Sequence, residues 1–150
     1  MPFTFTTIPF QTLMRAAAVD LLTEYATGAS IKLQVYSGRP RSLYPPTAFP
    51  DLVREATVFT GPTQRQRTVT VELVALWGDF DSKEAVDQRD AFCDGFADYV
   101  TNNRGKADSR SVIASVAFQD VPNFIPDWLP PEEQASYYAT RIALEGYVSA

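Results

Sequence analysis

An α+β fold is predicted: a single mostly antiparallel or mixed β-sheet with two helices packed on one face, in the order α-β-β-β-α-β-β. Three observations predict it. Residues 68–77 (Thr-Val-Thr-Val-Glu-Leu-Val-Ala-Leu-Trp) alternate, with Val69, Val71, Leu73, Ala75 and Trp77 on one face and Thr68, Thr70 and Glu72 on the other. Strand side chains point to the two faces in turn, so this segment requires one packed and one wetter face. Asp81 follows after a short turn and opens an acidic segment of helical period, which must fold back over the sheet. Near the N-terminus a second apolar stripe recurs at three- and four-residue intervals, the mark of another core-facing helix.

The first helix is expected over residues 9–27. Thr7 stands where an N-cap belongs, a proline is tolerated near a helix start, and Gly28 sits where a left-handed residue would end it. Phe10, Leu13, Met14, Ala17, Leu21 and Tyr25 form its core face. Residues 31–36 read as a short strand. Residues 37–50 contain four prolines, which remove backbone donors and force extended φ, so a long irregular loop is expected there. A strand resumes over 52–59, Thr60-Gly61-Pro62-Thr63 turns the chain, and the strand over 65–77 returns antiparallel. The second helix covers 82–102. Asp81 and Glu84 form an Asp version of the capping box, and Ala85, Phe92, Phe96 and Tyr99, with Cys93 and Val100 beside them, face the core. Asn102-Asn103-Arg104-Gly105 stops this helix, and residues 111–118 alternate as a fourth strand. Residues 120–135 form a second Pro-rich connection with a helical turn after Pro131, and 137–148 close the chain as a strand. Residues 1–150 are expected to be one domain with an N-terminal arm at 1–8, long enough to bury roughly two-thirds of its extended surface.

Composition excludes much chemistry. Histidine is absent, so Ser-His and Cys-His nucleophilic sites, His-ligated zinc and histidine pH switches are impossible within one chain. Cys93 is the only cysteine, which leaves neither an internal disulfide nor a Cys-rich metal site; between Phe92 and Phe96 it reads as a small buried apolar group. Gly61, Gly78, Gly95 and Gly105 are too dispersed to cradle a phosphate. No apolar run approaches the ~20 residues of a membrane span. The N-terminal Met-Pro-Phe-Thr-Phe-Thr-Thr has no basic region ahead of its apolar residues, so no secretory signal is expected and a soluble protein made in the cytosol is. Neither a catalytic site nor a cofactor or metal is expected.

A net charge of −5 argues against general or sequence-specific nucleic-acid binding, but its distribution is more informative. Residues 32–67 carry Lys32, Arg39, Arg41, Arg54, Arg65 and Arg67 against Asp51 and Glu55 alone; residues 72–108 are dominated by carboxylates. Asp87, Asp90, Asp94 and Asp98 lie three or four residues apart along one side of the second helix. They form a solvated face, a subunit interface or a divalent-metal or acid-base site, although no EF-hand spacing accompanies them. Arg39, Arg41, Arg65 and Arg67 are the complement, because arginine's planar fork binds a carboxylate at two points. Those arginines are either scattered solubilising charge or the means by which the basic loop and hairpin of one copy meet the acidic helix of the next, a head-to-tail contact that closes into a ring when the rotation permits. Phe124, Ile125, Trp128 and Leu129 either pack over the sheet edge or anchor a partner, with Phe124, Trp128 and Leu129 the candidate contact residues. Arg41-Ser42-Leu43-Tyr44-Pro45-Pro46 is a weak match to polyproline ligands of SH3 domains.

The layout as a whole resembles a known family. An N-terminal helix leads to a strand ending Val35-Tyr36, then a hairpin whose second arm is Arg-Gln-Arg-Thr-Val-Thr-Val-Glu-Leu-Val-Ala-Leu-Trp-Gly, an acidic helix containing Ala-Val-Asp-Gln-Arg-Asp-Ala-Phe-Cys-Asp-Gly-Phe, and two closing strands. Over roughly residues 10–148 this is similar to the tail terminator (tail completion, minor tail) proteins of long-tailed, non-contractile bacteriophages. The resemblance implies a non-enzymatic virion subunit, assembled in the host cytoplasm, that forms a homohexameric ring on the head-proximal end of the tail tube. It implies contacts with the major tail tube protein and the head–tail connector, no membrane, and passage of the genome through the ring lumen. A head–tail connector or adaptor of the same neck is the alternative.

Overall fold

The computed structural model describes residues 10–59, 61–62, 65–79, 83–103 and 113–149. Helix α1 (Phe10–Gly28) is followed by strands β1 (Gln34–Val35), β2 (Thr47–Phe59) and β3 (Arg65–Asp79), helix α2 (Lys83–Asn103), and strands β4 (Ile113–Phe124) and β5 (Tyr137–Ser149). The strands form one mixed sheet in the order β1-β2-β3-β5-β4, parallel between β1 and β2 and antiparallel elsewhere. The predicted α+β order is the observed one.

Alternation along β3 places Val69, Val71, Leu73, Ala75 and Trp77 under both helices, where they pack with Ile142 and Leu144 of β5. From α1 the core takes Met14, Ala17, Ala18, Leu21 and Leu22; Leu13 is 37% exposed, so the buried stripe is rotated away from the expected one. From α2 it takes Ala85, Phe92, Cys93, Phe96 and Val100. Tyr25 of α1 lies within 5.5 Å of the rings of both Phe92 and Phe96 and joins the helices. Gly95 makes that crossing possible, since a Cβ there would collide with the Tyr25 hydroxyl. Helix α2 is also tied to the sheet by a polar relay. The Trp77 indole N–H donates to Thr140 Oγ1 at 3.0 Å, and Asp120 of β4 accepts from Thr140 Oγ1 at 3.3 Å and from Arg89 Nε of α2 at 2.8 Å.

The opposite face divides in two. Toward the hairpin it carries Thr68, Thr70 and Glu72 and has no layer above it among the described residues, as the alternation predicts. At the other end Val74 and Leu76 continue the same face, and with Phe49, Phe124 and Ala139 they form a second core. Both Pro-rich connections cover it. Trp128 packs edge-on against Phe49 at 5.2 Å, and its indole N–H donates to the Pro40 carbonyl at 2.8 Å.

Several boundaries differ from expectation. β1 contributes two paired residues rather than 31–36, because it pairs with β2 only at Thr47 and Ala48. β2 begins at Thr47, so residues 47–50 of the expected loop are strand despite Pro50. The Tyr36 N–H donates to the Ala48 carbonyl, which places the polar groups of Ala48 on the outer edge. Two residues on, the Pro50 nitrogen points the same way, past the end of β1, where no ladder bond is lost. A bulge between Pro50 and Leu52 then accommodates Asp51. β4 likewise runs through Pro122, which lies on the sheet's other edge at a register irregularity. Gly28 does not stop α1 by a left-handed turn. Ser30 takes that conformation, at φ 55°, and the Ile31 N–H closes back on the Ala26 carbonyl. The expected caps Thr7 and Asp81, and the Arg104-Gly105 stop, lie outside the described residues.

Candidate functional site

The β2–β3 hairpin changes character along its length. At its root, Thr47, Ala48, Phe49 and Pro50 are all buried. Beyond the bulge, burial ends: Arg54 through Phe59 are exposed on both faces, with Val58 55% and Phe59 78% open to solvent. β1 does not reach this far, so the outer edge of the arm has no neighbouring strand among the described residues. Helix α1 supports only the arm's base, where Gln11 Nε2 donates to Glu55 at 2.7 Å. The arm's tip is the most exposed apolar stretch of β2, with Val58 and Phe59 pointing to opposite faces of the arm.

The predicted basic residues do not all share this role. Arg67 pairs with Glu55 across the hairpin. Arg39 pairs with Asp51 at 2.7 Å and stacks over Trp128 at 5.1 Å, so it belongs to the second core's rim. Arg41 is exposed and makes no ion pair among the described residues. Arg65 lies opposite Phe59 in the ladder, and its side chain lies outside the described residues. Arg54 and Arg141 converge on Glu72 at 2.6 and 3.8 Å, and Arg141 reaches Asp51 at 3.0 Å. Much of the positive charge of residues 32–67 is thus matched within the chain, a pairing invisible in the charge counts.

The acidic side is different. Asp87, Asp90, Asp94 and Asp98 are all exposed on α2. Asp90 contacts Arg89 at 3.0 Å, whereas the other three make no ion pair among the described residues. No cluster of three potential metal ligands occurs among the described residues. Phe124, Trp128 and Leu129, the candidate contact residues, pack over the sheet instead of standing free: Phe124 and Leu129 are buried, and Trp128 is engaged by Phe49, Phe124 and the Pro40 carbonyl. Of the four apolar residues singled out there, Ile125 is the exposed one, at 54%.

Where titration is perturbed, the cause is structural. Burial pushes the Cys93 thiol up to about 11, outweighing nearby Arg89, while Asp120, Asp90 and Asp94 push the same way. A thiol so rarely ionised near neutrality is no nucleophile. Burial raises Tyr25 and Tyr138 as well. Burial alone would raise Asp51 too, but hydrogen bonds from Arg39 and Arg141 outweigh it and hold this carboxyl below its ordinary value.

Sequence reasoning missed an apolar groove. At the root end, between the start of α2 and the chain leaving α1, Trp77 and Phe92 form the floor of an open cavity of about 290 Å³. Ile31 and Pro46 wall one side, Gln88 and Ala91 the other. It is continuous, through Pro46, Trp77 and Gln88, with a shallower stretch bordered by Glu84 and Gly78. No spacing signal foretells it, because its walls come from four separate segments. The chain matches no protein-family model and no curated protein. What defines its class is therefore the fold: a two-layer α+β chain with one projecting hairpin.

Proposed function

We propose that this chain is a structural subunit of a bacteriophage virion, a tail terminator that forms a ring on the head-proximal end of the tail tube, stops tube growth and offers the docking surface for the head. The observation that carries the reading is the projecting arm of β2 and β3, exposed on both faces at Arg54–Phe59, at the opposite end of the molecule from the root. An arm at one end and a complementary surface at the other make a head-to-tail contact, and a rotation that closes such contacts yields a ring. The order of elements, the hairpin arm and the acidic second helix are the features on which the family resemblance rests. A ring subunit that caps by shape needs no catalytic residue, in keeping with a chain that has no histidine and whose single thiol is buried. Partners on this reading are further copies of the chain, the major tail tube protein and the head–tail connector, in the virion neck.

The test is negative-stain electron microscopy of lysates from the source phage carrying an early stop codon in this gene. Overlong tails beside filled, tailless heads are expected. Tails of normal length lying detached from heads would overturn the terminator reading in favour of the connector.

A further inference from the structure

The two faces of the sheet are covered in different ways. Helices α1 and α2 close the first core with backbones bonded along their own length, whereas two connections, residues 37–46 and 125–136, close the second. Among the described residues, 37–45 enter no backbone–backbone hydrogen bond. Residues 125–136 make such bonds only with one another, Leu129 to Pro126, Glu133 to Pro130 and Gln134 to Pro131. Beneath them Phe49, Val74, Leu76 and Ala139 are fully buried.

A few side chains hold these connections down. Trp128 of the second lies 5.2 Å from Phe49 on the floor, and its indole N–H donates to the carbonyl of Pro40 in the first at 2.8 Å. Arg39 lies over the same indole at 5.1 Å and donates to Asp51 Oδ1, from Nε at 3.1 Å and from Nη2 at 2.7 Å. Asp51 Oδ2 accepts from Arg141 at 3.0 Å, and the Arg141 guanidinium lies 5.8 Å from the ring centre of Phe124, where the second connection leaves β4. One carboxylate, only 8% exposed, thus reaches both connections. Packing between them is incomplete: Leu43 and Tyr44 of one and Leu129 and Glu133 of the other border an open cavity of about 250 Å³. The fastenings, more than close packing, set how easily this cover lifts.

We propose that the two Pro-rich connections form a single strap, latched by the Arg39–Asp51 pair and the Trp128–Pro40 bond, that lifts as one unit and uncovers the second core while the helices and the sheet stay folded. Both latches part in the same event, because Trp128 is bonded to the first connection and Arg39 lies against Trp128 of the second. Sub-global openings of this kind belong to segments with few backbone bonds of their own. The strap is a property of the isolated chain and does not depend on the ring reading.

Thiol labelling of the full-length chain tests it. Ala139→Cys puts a thiol on the floor of the second core, and Cys93, buried under the helices, is the internal control. Reaction with dithionitrobenzoate in mildly alkaline buffer, with the labelled peptides identified by mass spectrometry, reports the two cores separately. The introduced thiol should react about tenfold or more faster than Cys93. Adding Arg39→Gln or Trp128→Phe should speed it about tenfold each and leave Cys93 nearly unchanged. Combined, the two substitutions should multiply to about a hundredfold, since one opening breaks both latches; two covers lifting separately would only sum, to about twentyfold. Summed rates, single variants without effect, or Cys93 accelerating in step with the introduced thiol would each overturn the strap. Val74→Cys, on the same floor, takes the place of Ala139→Cys if that chain does not fold.

Discussion

The root and the tip of the β2–β3 hairpin share one antiparallel ladder yet differ in what surrounds them. At the root, Phe49 pairs with Val74, and both are fully buried in the second core. At the tip, Phe59 pairs with Arg65 in the same register scheme, and Phe59 is 78% exposed. Backbone pairing therefore does not measure how a segment contributes to stability. The layers above and below the ladder do: loops and helices cover the root, whereas the arm outruns both. The bulge at Pro50–Leu52 marks the change, with Asp51 held there between Arg39 and Arg141.

Substitutions along this gradient should fall in the order of burial. Phe49→Ala at the root removes a fully buried ring and should cost about 3–5 kcal/mol in urea denaturation. A loss below 1 kcal/mol would erase the distinction between root and tip. Trp128→Ala, in the layer over the root, should cost about 2–4 kcal/mol through lost packing on Phe49 and Phe124 and the lost bond to Pro40. Its near-ultraviolet circular dichroism should weaken as well, and unchanged melting would instead make Trp128 a partner anchor.

At the bulge, Asp51→Asn should cost about 1–3 kcal/mol at pH 7, because the charged acceptor of two arginines is lost. The pH dependence has a definite sign. The folded-state carboxyl titrates below its ordinary value, so its stabilisation is present above the unfolded value of ~3.9 and is lost as pH falls through the lower folded one. Denaturation midpoints measured from pH 7 down to pH 2 should therefore drop less below about pH 4 in Asp51→Asn than in wild type. Smallest of all, Phe59→Ala should change stability by less than about 0.5 kcal/mol in the same urea titration. A large loss of stability there would show that the tip serves the fold.

The helices and long strands were legible because their signals are local. Residues 68–73 alternate polar and apolar, and α2 shows its core face through Ala85, Phe92, Phe96 and Val100. Prolines misled where only position in the sheet decides their cost. Pro50 and Pro122 sit at irregularities on the two edges, so strands continue where the sequence predicts loops. Of the candidate assembly site, the hairpin and the acidic run of α2 were readable. The allocation of arginines was not, since Arg67 serves Glu55 across the hairpin and Arg39 serves Asp51 across a Pro-rich loop.

By itself, the sequence determined the periodic elements, the helix-covered face of β3, and the absence of histidine chemistry, because each depends on neighbours a few residues apart or on composition alone. Tertiary structure alone decided that Trp128 seals a second core against Pro40, that Arg141 holds Asp51, and that Trp77 and Phe92 floor an open groove. Those partners lie well beyond the reach of local periodicity, Trp128 and Pro40 88 residues apart and Arg141 and Asp51 90. Only the assembled sheet, which sets strand order and register, brings them within a few ångströms of each other.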